Sequence, residues 1–138
     1  MKSKLIYHIV PEKEFLSQTE RDKYFPASFS EFGFVHCALE ISVIPVANDY
    51  YSDVQDVLLL LAIDSQKLFS ETKYESAMPD SGAGTEHLSS SPVFPHVYGP
   101  IDTLAIERVG ILQKENNKFH WPRKFISLSE YLEIKRTL

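Results

Sequence analysis

Cysteine occurs once in the 138 residues, at Cys37. No intramolecular disulfide can form, so the core alone must hold the fold, and a reducing, cytoplasmic setting is expected. The longest apolar run, Val57 to Ile63, has seven residues, far short of the roughly 20 that a membrane helix needs. The apolar stretch Leu5-Ile6-Tyr7-His8 is too short and too polar for a signal peptide, so no membrane partner is expected. There is no basic block and the net charge is −5, which disfavours a surface that tracks the phosphates of an extended nucleic-acid duplex. Histidines at HExxH-like spacing are absent, so no metal site is expected. Gly82-Ala83-Gly84 has no strong strand before it and no clear helix after it. It reads as flexible loop rather than a phosphate cradle.

What remains is an ordinary globular composition, 43% hydrophobic and 24% charged, long enough for one core. Leu5 to Val10 reads as a strand with Ile6, His8 and Val10 on one face. A short helix follows Pro11, and Thr19 to Ser30 reads as irregular. Phe32 to Ala38 reads as a second strand, with Phe32, Phe34, His36 and Ala38 on one face and Gly33 as a bulge or a close backbone approach. Ser42 is placed to cap a helix running to about Tyr51. Asp56 to Asp64 suits a strand buried on both faces. Lys73 to Glu75 suits a short strand, and Ala77 to Pro92 a long loop containing His87. Thr103 to Leu112 reads as a strand, Asn116-Asn117 as a turn, and Ser127 to Glu130 as a capping box for a last helix lined by Tyr131, Leu132 and Leu138. These elements predict a single α+β domain.

The most constrained stretch is Phe94-Pro95-His96-Val97-Tyr98-Gly99-Pro100, where two prolines and a glycine fix the backbone around two titratable side chains. His8, His36 and His96 each alternate with large apolar side chains on an extended segment. If those faces converge, they form an aromatic-walled cleft with three imidazoles, a form suited to small molecules. Tyr98 shares a face with His96. Glu75 is a candidate general base or cation stabiliser, against the plainer reading of a solvated strand-end glutamate. Tyr50 offers an aromatic platform, and Tyr51 a core contact. Cys37 is expected on the opposite face from His36, as a buried apolar side chain. The plainer reading of each histidine is structural, bonded to a backbone carbonyl.

Ile6-Tyr7-His8-Ile9, Gly33-Phe34-Val35-His36-Cys37, Val57 to Asp64, Tyr74-Glu75 and Phe94 to Pro100 together resemble a bacterial and plant family catalogued as domain of unknown function 952. The resemblance runs from about Leu5 to about Leu112, so residues 1–113 are taken as the family core and 114–138 as a C-terminal extension on the same domain, ending in a short helix. Ala38 departs from the serine usual after the His-Cys pair, and the Ala77–Pro92 segment is longer than usual. The family is similar in fold to the ADP-ribosyltransferase superfamily. That similarity implies a split, antiparallel-rich β-sheet core flanked by a few short helices, with a nicotinamide-dinucleotide cleft between its halves.

The same resemblance implies roles. His8 would bind ribose, His36 would contact phosphate or ribose, and Tyr50 or Tyr51 would supply an aromatic surface. Glu75 or His96 would act at the anomeric carbon. No cofactor is firmly implied, and NAD enters as a substrate. Two other readings use the same residues: a non-catalytic module for a nucleotide or phosphometabolite, and a small interaction protein with structural histidines.

Overall fold

The computed structural model describes residues 4–20, 22–76 and 93–137. The loop expected over Ala77–Pro92, with His87, and the placement of Leu138 lie outside the described residues. Strand β1 (Leu5–Pro11) ends at Pro11, which stands at the N-terminus of α1 (Glu12–Gln18). The stretch expected to be irregular is ordered: β2 (Thr19–Glu20) and β3 (Lys23–Tyr24) pair as a hairpin, and α2 (Ala27–Phe32) starts after Pro26. Because α2 takes up Phe32, the strand expected from there shrinks to β4 (Val35–His36). Gly33 is not a bulge. It closes α2 in the left-handed conformation at φ 83°, and its N–H donates to the Phe29 carbonyl at 2.7 Å, the usual reason for glycine at a helix end.

Helix α3 (Glu40–Tyr50) begins before Ser42, which lies buried in its first turn, and Leu39 holds the N-cap position. Strand β5 (Leu58–Asp64) is buried at every residue, as its unbroken apolar run requires. Strands β6 (Glu71–Glu75), β7 (Phe94–Tyr98) and β8 (Ile101–Asp102) follow. Thr103–Ala105 is a 3-10 turn rather than a strand start, so β9 spans Ile106–Glu115. Asn116 and Asn117, at φ 56° and 66°, make a turn of the hairpin type, and the chain returns as β10 (Lys118–His120). After β11 (Phe125–Ile126), the Glu130 N–H donates to Ser127 Oγ at 3.0 Å and α4 (Leu128–Thr137) begins.

Among the described residues all strand pairing is antiparallel, in three sheets: β1-β5-β9-β10 with β11 also on β9, then β2-β3-β8, then β4-β7-β6. The first and third sheets meet at Tyr7 and Ala38, whose N–H and C=O groups exchange two bonds of 2.8 and 2.7 Å. The molecule is therefore α+β, built on antiparallel sheets with few helices. Strand parity sorts the core. Ile6, Val10, Leu59, Leu61 and Ile63 face a cluster closed by Phe15, Tyr24 and Tyr131. Tyr7, Ile9, Leu58, Leu60 and Ala62 face a second cluster roofed by Val43 and Ala47 of α3. Each fully buried leucine contributes about 2 kcal/mol. The remaining gap beside the Tyr7–Ala38 junction becomes the site.

Candidate functional site

His36 and His96 stand opposite each other in the β4–β7 register, so both side chains leave the same face of that sheet. Their ring centroids are 5.6 Å apart at 83°. On β6, Glu75 lies opposite Phe94, and this brings its carboxylate to the same face. Glu75 Oε1 accepts the Nδ1–H of His96 at 2.7 Å and the Tyr98 O–H at 2.7 Å. These two donors, Tyr98 first, hold the Glu75 carboxyl below the ordinary carboxylate range. Phe34 stacks on the His96 ring at 4.0 Å and 21°. Among the described residues, Nε2 of His96 has no hydrogen-bond partner, and no fully buried side-chain nitrogen or oxygen there lacks one. Nε2 therefore opens to accessible space. A histidine fixed through Nδ1 on a carboxylate, with Nε2 free, is the arrangement of a general base.

That space is a cavity of about 350 Å³. Tyr7 and Ile9 of β1 line it, as do Val46 and Tyr50 of α3, Tyr51, Phe32, and Phe94 and His96 of β7. His36, Cys37 and Ala38 complete the wall. Among the described residues, no lysine or arginine lines the cavity. His36 is held edge-on by Phe32 and Phe34, both at 4.8 Å. Burial, and then the charge of His96, lower the His36 pKa below its ordinary 6.5. Burial pushes the Cys37 thiol up, so the thiolate needed for nucleophilic attack is suppressed. Although Cys37 touches the cavity wall, its buried side chain packs with Val10, Phe15, Tyr24 and Val35 in the first core cluster, on the opposite face from His36 as the alternation predicts. The chain leaves β4 there, with the Cys37 N–H donating to Pro95 O at 3.0 Å and Ala38 pairing with Tyr7.

The expected meeting of three imidazoles does not occur. His36 and His96 come together, with Tyr50 and Tyr51 across the cavity and Glu75 and Tyr98 bonded behind His96. His8 does not line the cavity. It is only 5% exposed on the other face of β1, its Nδ1–H donates to the His36 carbonyl at 2.7 Å, and its Nε2 accepts the Tyr24 O–H at 2.9 Å. Both ring nitrogens are used, which corrects the ribose-binding expectation for His8. Burial lowers its pKa to about 4, so the ring is neutral at pH 7. The lining residues that sequence reading passed over have a recoverable signal. Tyr7 and Ile9 are the period-two complement of His8, and Val46 lies one helical turn before Tyr50.

The model of the family described as "Protein of unknown function (DUF952)" matches residues 9–109. This chain is a member of that family. The matched span carries His36, Glu75, His96 and Tyr98 of the DUF952 protein. Its fold is shared with protein CC0527 from Caulobacter crescentus, a structural genomics target. The X-ray structure of CC0527 is 21% identical, with 94% of this chain and 98% of that chain covered at a TM-score of 0.67. The solution NMR structure of the same protein is 20% identical, covering 96% and 99% at a TM-score of 0.59. No curated protein matches the DUF952 chain significantly. Among its described residues no helix is long and apolar enough to cross a membrane.

Proposed function

We propose that this protein is an ADP-ribosyltransferase-like enzyme acting on NAD or an ADP-ribose-containing compound. The observation that carries the reading is His96, anchored through Nδ1 on Glu75 and open through Nε2 to an aromatic-walled cavity. A volume of about 350 Å³ falls within the range of small-molecule sites. Walls built from Tyr7, Phe32, Tyr50, Tyr51 and Phe94 suit a flat ring, here the nicotinamide.

In this reading the bond from ribose C1′ to the nicotinamide nitrogen breaks, and its electron pair leaves with the ring as neutral nicotinamide. The acceptor hydroxyl oxygen bonds to C1′, and its proton passes to Nε2 of His96. The Glu75 carboxylate stabilises the resulting imidazolium through Nδ1–H, and its charge also favours the oxocarbenium character that develops at C1′.

A second reading is a non-catalytic binding module. It is favoured by the engagement of both His8 nitrogens and by a cavity wall that has, among the described residues, no lysine or arginine to hold a diphosphate. Calorimetric titration with NAD and ADP-ribose, followed by a nicotinamide-release assay on wild type and His96→Ala, separates the two. Binding with release that is lost in His96→Ala supports the enzyme. Binding without release in either protein supports the module, and no binding at all sinks both.

A further inference from the structure

His36 differs from every other histidine near the site in what it leaves unused. His8 spends both ring nitrogens inside the core, and His96 spends Nδ1 on Glu75. The His36 ring is pinned by Phe32 and Phe34 at 4.8 Å and by the edge of His96 at 5.6 Å. Its backbone is fixed as well, paired with His96 across the sheet and accepting the His8 Nδ1–H at its carbonyl. Yet neither ring nitrogen has a hydrogen-bond partner among the described residues, and the ring lines the cavity. A polar group held this firmly without a protein partner is pre-positioned for a ligand.

We infer that His36 makes the cavity selective for a planar ring carrying a carboxamide over the same ring carrying a carboxylate or no polar substituent. The inference rests on the reading of the cavity as a ring-binding site and names the ligand class it takes. The two nitrogens of a neutral imidazole, one an N–H donor and one a lone-pair acceptor, point apart, and a carboxamide can pair with whichever of them faces it, through its oxygen or its NH2. A carboxylate offers acceptors only, so it can pair with the N–H of His36 but not with its bare nitrogen. It also enters a wall that has, among the described residues, no lysine or arginine to balance its charge, and the Glu75 carboxylate accepts from His96 at 2.7 Å behind that wall. An unsubstituted ring leaves the His36 nitrogen that faces it desolvated and unpaired. That loss is the one by which polar sites reject analogues most strongly.

The test is calorimetric or NMR titration of the full chain with three ligands of one ring: nicotinamide, nicotinate and pyridine. Nicotinamide is expected to bind at least about tenfold more tightly than either of the others. His36→Phe keeps a flat ring between Phe32 and Phe34 and removes both nitrogens. It is expected to bring nicotinamide and pyridine to the same affinity, nicotinamide binding more weakly than to wild type and pyridine more tightly, since no nitrogen is left unpaired. If that variant does not fold by near-UV circular dichroism, His36→Leu takes its place with the same expected outcome. Nicotinate binding as tightly as nicotinamide overturns the inference. So does an amide preference that survives loss of the imidazole. If NAD binds and nicotinamide is released while none of the three ligands shows the expected order, this inference fails and the transferase reading stands. If neither NAD nor the ring compounds bind, both fail together.

Discussion

His96 owes its orientation to two unlike neighbours. The Phe34 ring fixes its plane, and the Glu75 carboxylate fixes which nitrogen carries the proton. If His96 takes the acceptor proton, His96→Ala removes the base and lowers the nicotinamide-release rate about 10²- to 10⁴-fold, with NAD affinity little changed. Glu75→Gln keeps an acceptor for Nδ1–H but removes the charge that stabilises the imidazolium. Its rate is expected to fall about 10- to 100-fold, the worth of a charge-assisted bond. Steady-state release assays read both, and a Glu75→Gln rate equal to wild type would show that the carboxylate only positions the ring. The sequence made the rigid setting of His96 legible, because Pro95, Gly99 and Pro100 are local facts. It did not make its partners legible. The facing of His36 and His96, and the reach of Glu75 to both His96 and Tyr98, follow from long-range register that no local spacing encodes.

Among the elements, α2 and the β6–β7 pair hang on two glycines for different reasons. A Cβ at Gly33 would meet nothing within 4 Å, so Gly33→Ala costs only the left-handed backbone at φ 83°, about 1 kcal/mol. A Cβ at Gly99 would lie 2.2 Å from Ser70 Oγ and 2.8 Å from Ser70 Cβ. That hydroxyl donates to Pro100 O at 2.9 Å. Gly99→Ala must therefore displace Ser70, at the entrance to β6, and disturb the strand that carries Glu75. Urea unfolding is expected to show a larger loss for Gly99→Ala than for Gly33→Ala, together with weaker ring binding in the first variant alone. Gly33 also explains where the element reading failed. Phe32, Phe34 and His36 alternate as a strand would, but the same spacing arises when a helix ends on a left-handed glycine and only Val35 and His36 pair. Strands β1 and β5 were legible because their whole length obeys one rule, alternation in β1 and an unbroken buried run in β5. The start of β9 was not, because Thr103–Ala105 carries a strand-like pattern through a 3-10 turn.

At the scale of the whole molecule, His8 is the tie between the three sheets. It sits on β1 of the first, its Nε2 takes the O–H of Tyr24 on β3 of the second, and its Nδ1–H goes to the carbonyl of His36 on β4 of the third. Strand parity correctly grouped His8 with Ile6 and Val10, but parity cannot say which face of β1 the cavity occupies. The choice falls to the third sheet, which reaches Tyr7 through Ala38 and leaves the opposite face to the core. The tie has a thermodynamic signature. Burial lowers the His8 pKa from 6.5 to about 4 in the folded protein, while the unfolded chain keeps the ordinary value. Between those two pH values the unfolded state binds the extra proton, so stability falls as pH is lowered through 6.5 and stops falling from this source below about 4. The full loss is about 3 kcal/mol. Urea unfolding of wild type and His8→Gln at pH 7.5, 5.5 and 4.5 isolates the effect, since carboxylates that titrate near pH 4 are common to both proteins. The variant is expected to start less stable at pH 7.5 and to lose less stability on acidification, so that the two curves converge. Parallel curves would mean that His8 is protonated without breaking the junction, and that the sheets are held together by apolar packing and the Tyr7–Ala38 backbone bonds without it.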